Sequence, residues 1–168
     1  MSSSNTDNQE RMYDYHKHNL VYIGDYVKFA DGKAGVALGA TLLMLGFFGK
    51  IAKINGFSDL SFGEYSLLIG LIPLVAACYF FILKVLWPSY PTTSNAYMSW
   101  GGIGSFSDSQ EYANHLDSKS TDQFIKDMTE QNYNIAKVCL NKYKNLKIGF
   151  ICLTVGAVIE AISWFFIK

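Results

Sequence analysis

Two groups of side chains in this sequence could do chemistry. Between Lys137 and Lys147 stand four lysines, Lys137, Lys142, Lys144 and Lys147, with no acid among them. Ammonium groups clustered just before an apolar run attract anionic lipid headgroups, or they receive a phosphate. Glu160 is the only acid inside an apolar run. A carboxylate there is costly and marks either a function or a polar partner within a helix bundle; alternatively the hydrocarbon ends nearby and Glu160 reaches the outer interface. Other chemistry is not expected. Cys78 and Cys152 fall in apolar runs and Cys139 on a polar helix, so no disulfide or metal site is implied. His16, His18 and His115 lack the partners and spacing of a zinc site and read as solvated or interfacial. There is no Ser-His-Asp or Cys-His set, no HExxH, no P-loop and no GxGxxG, so an enzyme is the least expected class and no cofactor or metal is expected.

Three apolar runs must position these groups: Ala34 to Gly49, Ser66 to Leu83 and Ile148 to Ile167. A helix rises about 1.5 Å per residue, so roughly 20 apolar residues cross the hydrocarbon core. The second and third runs meet that length. The first meets it when Phe29 and Ala30, or Ile51, Ala52 and Ile54, are counted, with Lys50 and Lys53 reaching back to the interface. Spans are therefore expected at 34–54, 65–87 and 148–167. Arg11, Lys17, Lys28 and Lys33 precede the first span, and Lys119, Lys126, Lys137, Lys142, Lys144 and Lys147 lie in the long insert after the second. The opposite side has only Lys50, Lys53 and Lys168, so the N-terminus and the insert are expected in the cytoplasm. Met1 to Glu10 is polar, without the basic region and cleavage site of a signal peptide, and 1–11 is expected to be disordered. With 14 basic and 14 acidic residues the net charge is zero, and no nucleic-acid partner is expected.

The polar segments read as helical. In 12–33, Tyr15, Tyr22, Tyr26, Phe29 and Lys33 recur at three- and four-residue steps, predicting a cytoplasmic helix that continues into span one. Trp87-Pro88-Ser89-Tyr90-Pro91 ends the second span, because proline lacks an amide donor and extends its predecessor. The rest of 88–147 is a cytoplasmic sensor region. Ser107 with Gln110 and Ser120 with Gln123 fit capping boxes. From the second, Ile125, Met128, Asn132, Ile135, Cys139, Lys142 and Leu146 form a packing seam, two of whose positions are polar. Joined to span three, that helix would run about 49 residues, about 74 Å. Gly35 with Gly39, and Gly149, Gly156 and Ser163 at steps of seven, suit close helix contact. The fold class is an all-α membrane protein with three transmembrane helices, the long ones extending into a cytoplasmic helical domain.

Several stretches, in order, carry a resemblance. They are Tyr22-Ile23-x-x-Tyr26-Val27-Lys28-Phe29-Ala30-Asp31-Gly32-Lys33-Ala34-Gly35, Leu86-Trp87-Pro88, Trp100-Gly101-Gly102-Ile103 with Glu111-Tyr112, and Asn134-Ile135-Ala136-Lys137 with Lys142-Tyr143. Over roughly Tyr15 to Phe150 the chain resembles the transmembrane effectors of Pycsar antiphage defence. It departs from them at Gly102, where an acid is usual, and at Gly32, where alanine is common. The resemblance implies a receptor. A pyrimidine cyclase, triggered by phage, makes cyclic UMP or cyclic CMP; the effector binds it on the cytoplasmic side and damages the bacterial inner membrane, giving abortive infection. A cyclic mononucleotide needs a cation, polar groups and an aromatic face. Lys33, Lys137 and Lys142 offer cations, Asp31 and Asn134 hydrogen bonds, and Trp100, Tyr112 and Tyr143 stacking surfaces. A homo-oligomer in the bilayer is expected. Two other classes stay open: a small channel or proton-coupled transporter working through Glu160, and a membrane-anchored helical adaptor for a protein partner.

Overall fold

The computed structural model describes residues 2–51, 61–88 and 96–166, which form helices and the short turns between them, with no strand. Helix α1, Ser2–Ile51, is continuous. It contains no proline, and although Gly24 and Gly32 each cost about 1 kcal/mol against alanine, Ala30, Ala34, Ala37 and Thr41 bury one stripe at three- and four-residue steps. The disorder expected over 1–11 gives way to helix from Ser2. Nothing in that stretch breaks a helix, and the Gln9 amide donates to Asp122 at 2.8 Å. The proposed span limits at 52–54, the Ser89-Tyr90-Pro91 part of the helix stop, and the Trp100 side chain lie outside the described residues.

The chain divides into two compact units. The first holds Met1–Lys28 and Ser89–Leu140, the second Phe29–Pro88 and Asn141–Lys168. The division cuts α1 and α5, Thr121–Phe166, nearer the N-terminal side of each than the limits 33/34 and 147/148 read from the apolar runs. Asp31, Lys33, Lys142 and Tyr143 consequently belong with the apolar helices.

In the first unit, a 3-10 turn at Ala96–Met98, the short α3 at Trp100–Ile103 and α4 at Ser109–Asp117 accompany parts of α1 and α5. The cap of α4 is Asp108, not Ser107: its carboxylate accepts from the Glu111 amide at 2.8 Å. Glu111 reaches back to accept from the Ser107 amide and hydroxyl, at 2.9 and 2.6 Å. The box at Ser120 and Gln123 forms as expected. His16 is buried, contrary to its reading as a solvated group. Asn132 Nδ2 donates to His16 Nδ1 at 2.9 Å and to its carbonyl at 3.1 Å, leaving Nε2–H to meet Thr129 Oγ1 at 2.9 Å.

In the second unit, α2 spans Phe62–Tyr79 and starts at a Ser61–Glu64 capping box. It widens into a π-helical stretch at Phe80–Leu86 and ends at an extended Trp87, the geometry that Pro88 demands. Small residues let the helices close. A Cβ on Gly149 would stand 2.5 Å from the Phe81 ring, and one on Gly156 2.6 Å from Leu74. The seven-residue repeat thus does the work expected of it, with Ser163 also buried. Gly35 and Gly39 differ: a Cβ at either meets nothing within 4 Å. Val36, Leu43, Ile72 and Phe165 point outward and exposed, a surface suited to lipid. Among the described residues, three helices are long and apolar enough to cross a membrane. The α5 seam is realised in both units, with Ile125, Met128, Asn132, Lys142 and Leu146 buried and Ile135 and Cys139 half-buried.

Candidate functional site

The second unit contains the one cross-helix ion pair among its described residues. Ala30, Ala34 and Leu146 build an apolar floor, joined by half-buried Tyr143. From α5, Lys142 Nζ donates to Asp31 Oδ1 of α1 at 2.5 Å. The partners are unequal, since the lysine side chain is 6% exposed and the aspartate 36%. An ammonium sunk this deep needs an anion, and its present anion stands where solvent reaches it. Lys33, one face away, is exposed with its ammonium 4.3 Å from the Phe29 ring centre.

The other candidates lie in the first unit. Half-buried Tyr112 packs on Phe106 at 5.2 Å between ring centres. Asn134 is half-buried, and its Nδ2 has no acceptor among the described residues. Lys137 is exposed, its ammonium 4.4 Å from the Tyr133 ring centre. Trp100 begins α3.

Sequence reasoning missed the best-knit cluster of this unit. Tyr97 Oη donates to Asp127 Oδ2 at 2.7 Å, and Lys119 Nζ lies 3.3 Å from the same oxygen. The Tyr97 ring meets His115 and Phe124 edge-on at 4.8 and 6.1 Å. Burial first, and then the bond to Asp127, holds the Tyr97 phenol above the ordinary tyrosine value. Exposed Glu111 titrates lower than usual because Ser107 donates to its carboxylate. Beside the Ser120 cap, a groove of about 510 Å³ is lined by Gln9, Glu10, Tyr13, Lys119 and Phe124. The Ser120–Gln123 box was the one sequence signal pointing here. No group of His, Cys, Asp and Glu among the described residues could hold a metal ion.

A family model described as the Pycsar effector protein domain, PycTM, matches residues 15–167. That range takes in both units and all three apolar helices. The chain belongs to the PycTM family. It is also similar to the Pycsar effector protein SaPycTM of Staphylococcus aureus, at 24% identity over 163 residues, 89% of this chain and 96% of the relative. No solved structure matches significantly. As a PycTM protein with three helices fit to span a bilayer, it is a membrane effector of antiphage defence. The seam pairing of Lys142 with Asp31 falls inside the matched range, as do all the other candidates.

Proposed function

We propose that this PycTM protein binds cyclic UMP or cyclic CMP on the cytoplasmic side and then impairs the bacterial inner membrane, ending infection by the loss of the infected cell. It acts as a receptor paired with a pyrimidine cyclase. The supporting observation is the ion pair of sunken Lys142 with open Asp31. A cyclic phosphate is a singly charged anion that can take the ammonium in place of the carboxylate, because exchanging one anion for another leaves no buried charge uncompensated. Asp31, once released, accepts a hydrogen bond from the ribose hydroxyl or the base. Lys33 and Tyr143 flank the same stretch of the two helices in sequence. Trp100, Tyr112, Asn134 and Lys137 are the remaining candidate contacts, each to be tested singly.

The consequence for the membrane follows from chain continuity. Asp31 lies on α1 and Lys142 on α5, and both helices run on as spans. A ligand that prefers one arrangement of these helices shifts the population toward it by its difference in affinity for the two. Calorimetry on the detergent-solubilised chain with cyclic UMP and cyclic CMP tests the reading. Binding by wild type, lost in Lys142→Ala and in Asp31→Ala while both variants still insert, supports it; wild-type affinity in both variants ends the assignment. Cysteine labelling from outside intact cells tests the expected orientation, with 88–147 inaccessible. Self-association belongs to the same proposal, and cross-linking in membranes measures it.

A further inference from the structure

Glu160 takes no part in the proposed nucleotide site. It is wholly buried on α5, and neither carboxyl oxygen has a hydrogen-bonding partner among the described residues. Gly70 of α2 makes the room: a Cβ there would stand 2.8 Å from Glu160 Oε1 and 2.9 Å from its Cδ. Leu67 and Leu74, on either side of Gly70, are fully buried, and Ser163 donates its hydroxyl to the Ile159 carbonyl at 2.8 Å. The charged groups on the described parts of the three long helices nearest in sequence to the spans are engaged with other partners or exposed. Glu64 is held in the Ser61 cap, Asp31 and Lys142 hold each other, and Lys84 stands over the Tyr79 ring. Lys33 and Lys50 are exposed on α1, as are Lys144 and Lys147 on α5. An ionised carboxylate without a partner in such surroundings costs far more than the neutral acid.

We propose that Glu160, seated in its notch at Gly70, is a proton-binding site of the resting bundle, and that when α2 and α5 part it gives that proton to water and becomes the fixed negative charge of a path for small cations. The second half rests on the membrane-effector reading above and specifies the damage: leakage of small cations instead of general rupture. The proton balance is complete, since the acid loses one proton to solvent and regains it on closure. A small cation passing a lone carboxylate meets a charge able to replace part of its hydration, whereas an anion of any size is repelled.

Two measurements test this. The first is the infrared spectrum of the full chain in lipid vesicles at neutral pH, without nucleotide. A protonated-carboxyl band present in wild type, retained in Glu160→Asp and absent from Glu160→Gln is expected; its absence from wild type overturns the proton site. The second is flux from vesicles holding potassium and a large anionic dye, with cyclic UMP or cyclic CMP added. Wild type should release potassium and keep the dye, and Glu160→Gln should slow potassium release at least tenfold with unchanged nucleotide binding. Equal flux in the two proteins, or dye lost as fast as potassium, overturns the path. Calorimetry separates the two readings: a chain that binds nucleotide and passes no cation refutes only the path. A chain that binds neither nucleotide refutes the proposed function and the path together, and the infrared band still decides the proton site.

Discussion

In the first unit the polar seam residue Asn132 meets His16, and in the second Lys142 meets Asp31. Both pairings join α5 to α1, but their chemistry differs. His16 is saturated, with each ring nitrogen and the backbone carbonyl engaged by Asn132 or Thr129. No lone pair or proton on that ring remains to receive a ligand, so the contact fixes register. Lys142 has its charge met by a carboxylate with an open side. Such a contact can change partners. A neutral pin holds, and a charged one can be exchanged.

The contrast predicts unequal costs. Asp31→Asn leaves the sunken Lys142 ammonium without its anion, and stranding a buried charge by removing its partner costs about 3–5 kcal/mol. Thermal unfolding in detergent should show that loss. The double variant Lys142→Met with Asp31→Asn removes both charges and should regain most of the stability, while nucleotide binding, now without the cation, should fall at least a hundredfold. Wild-type binding in the double variant would contradict a role for Lys142 as the cation.

His16→Ala comes next. It takes away two ring contacts and leaves the Asn132 amide with one acceptor fewer, at about 1–3 kcal/mol for unsatisfied buried groups. Hydrogen exchange should quicken in the first unit, around residues 12–20 and 125–135. Equal loosening throughout the chain would show that the pin is not local.

Tyr97 supplies a smaller, pH-dependent effect. Its phenol titrates above the usual tyrosine value of about 10, chiefly through burial and then through Asp127. The unfolded chain therefore loses this proton first as pH rises, and the stability that Tyr97 contributes is complete below pH about 10 and declines above it. Tyr97→Phe should flatten that alkaline decline in a melting series. An unchanged slope would assign it to other groups.

Much of this architecture could be read from residue order alone. The apolar runs, the three-and-four seam, the Trp87-Pro88 stop and the Ser120 box each depend on near neighbours in the chain, and each is present. The α4 cap was read one residue early because Ser107 and Asp108 are both good caps; the tie to Glu111, three residues beyond Asp108, decides it. His16 was misread because its partners on α5 are 113 and 116 residues away, and a lone histidine among polar residues carries no sign of them. The π-helical stretch at Phe80–Leu86 is a change of backbone pairing that an unbroken apolar run does not reveal. At the candidate site, the residue types of Asp31 and Lys142 were visible, but their pairing and unequal burial come only from three dimensions.

The bare flank of α1 has one more use, as a gauge of what lies beyond a single subunit. An extra methyl at Gly35 or Gly39 meets nothing within 4 Å among the described residues, and alanine suits helix better than glycine by about 1 kcal/mol. Purified as a monomer, either alanine variant should melt slightly later than wild type. If living cells nonetheless lose phage resistance with such a variant, the crowding must come from another molecule, and the glycines will have reported a neighbour that no isolated chain can show.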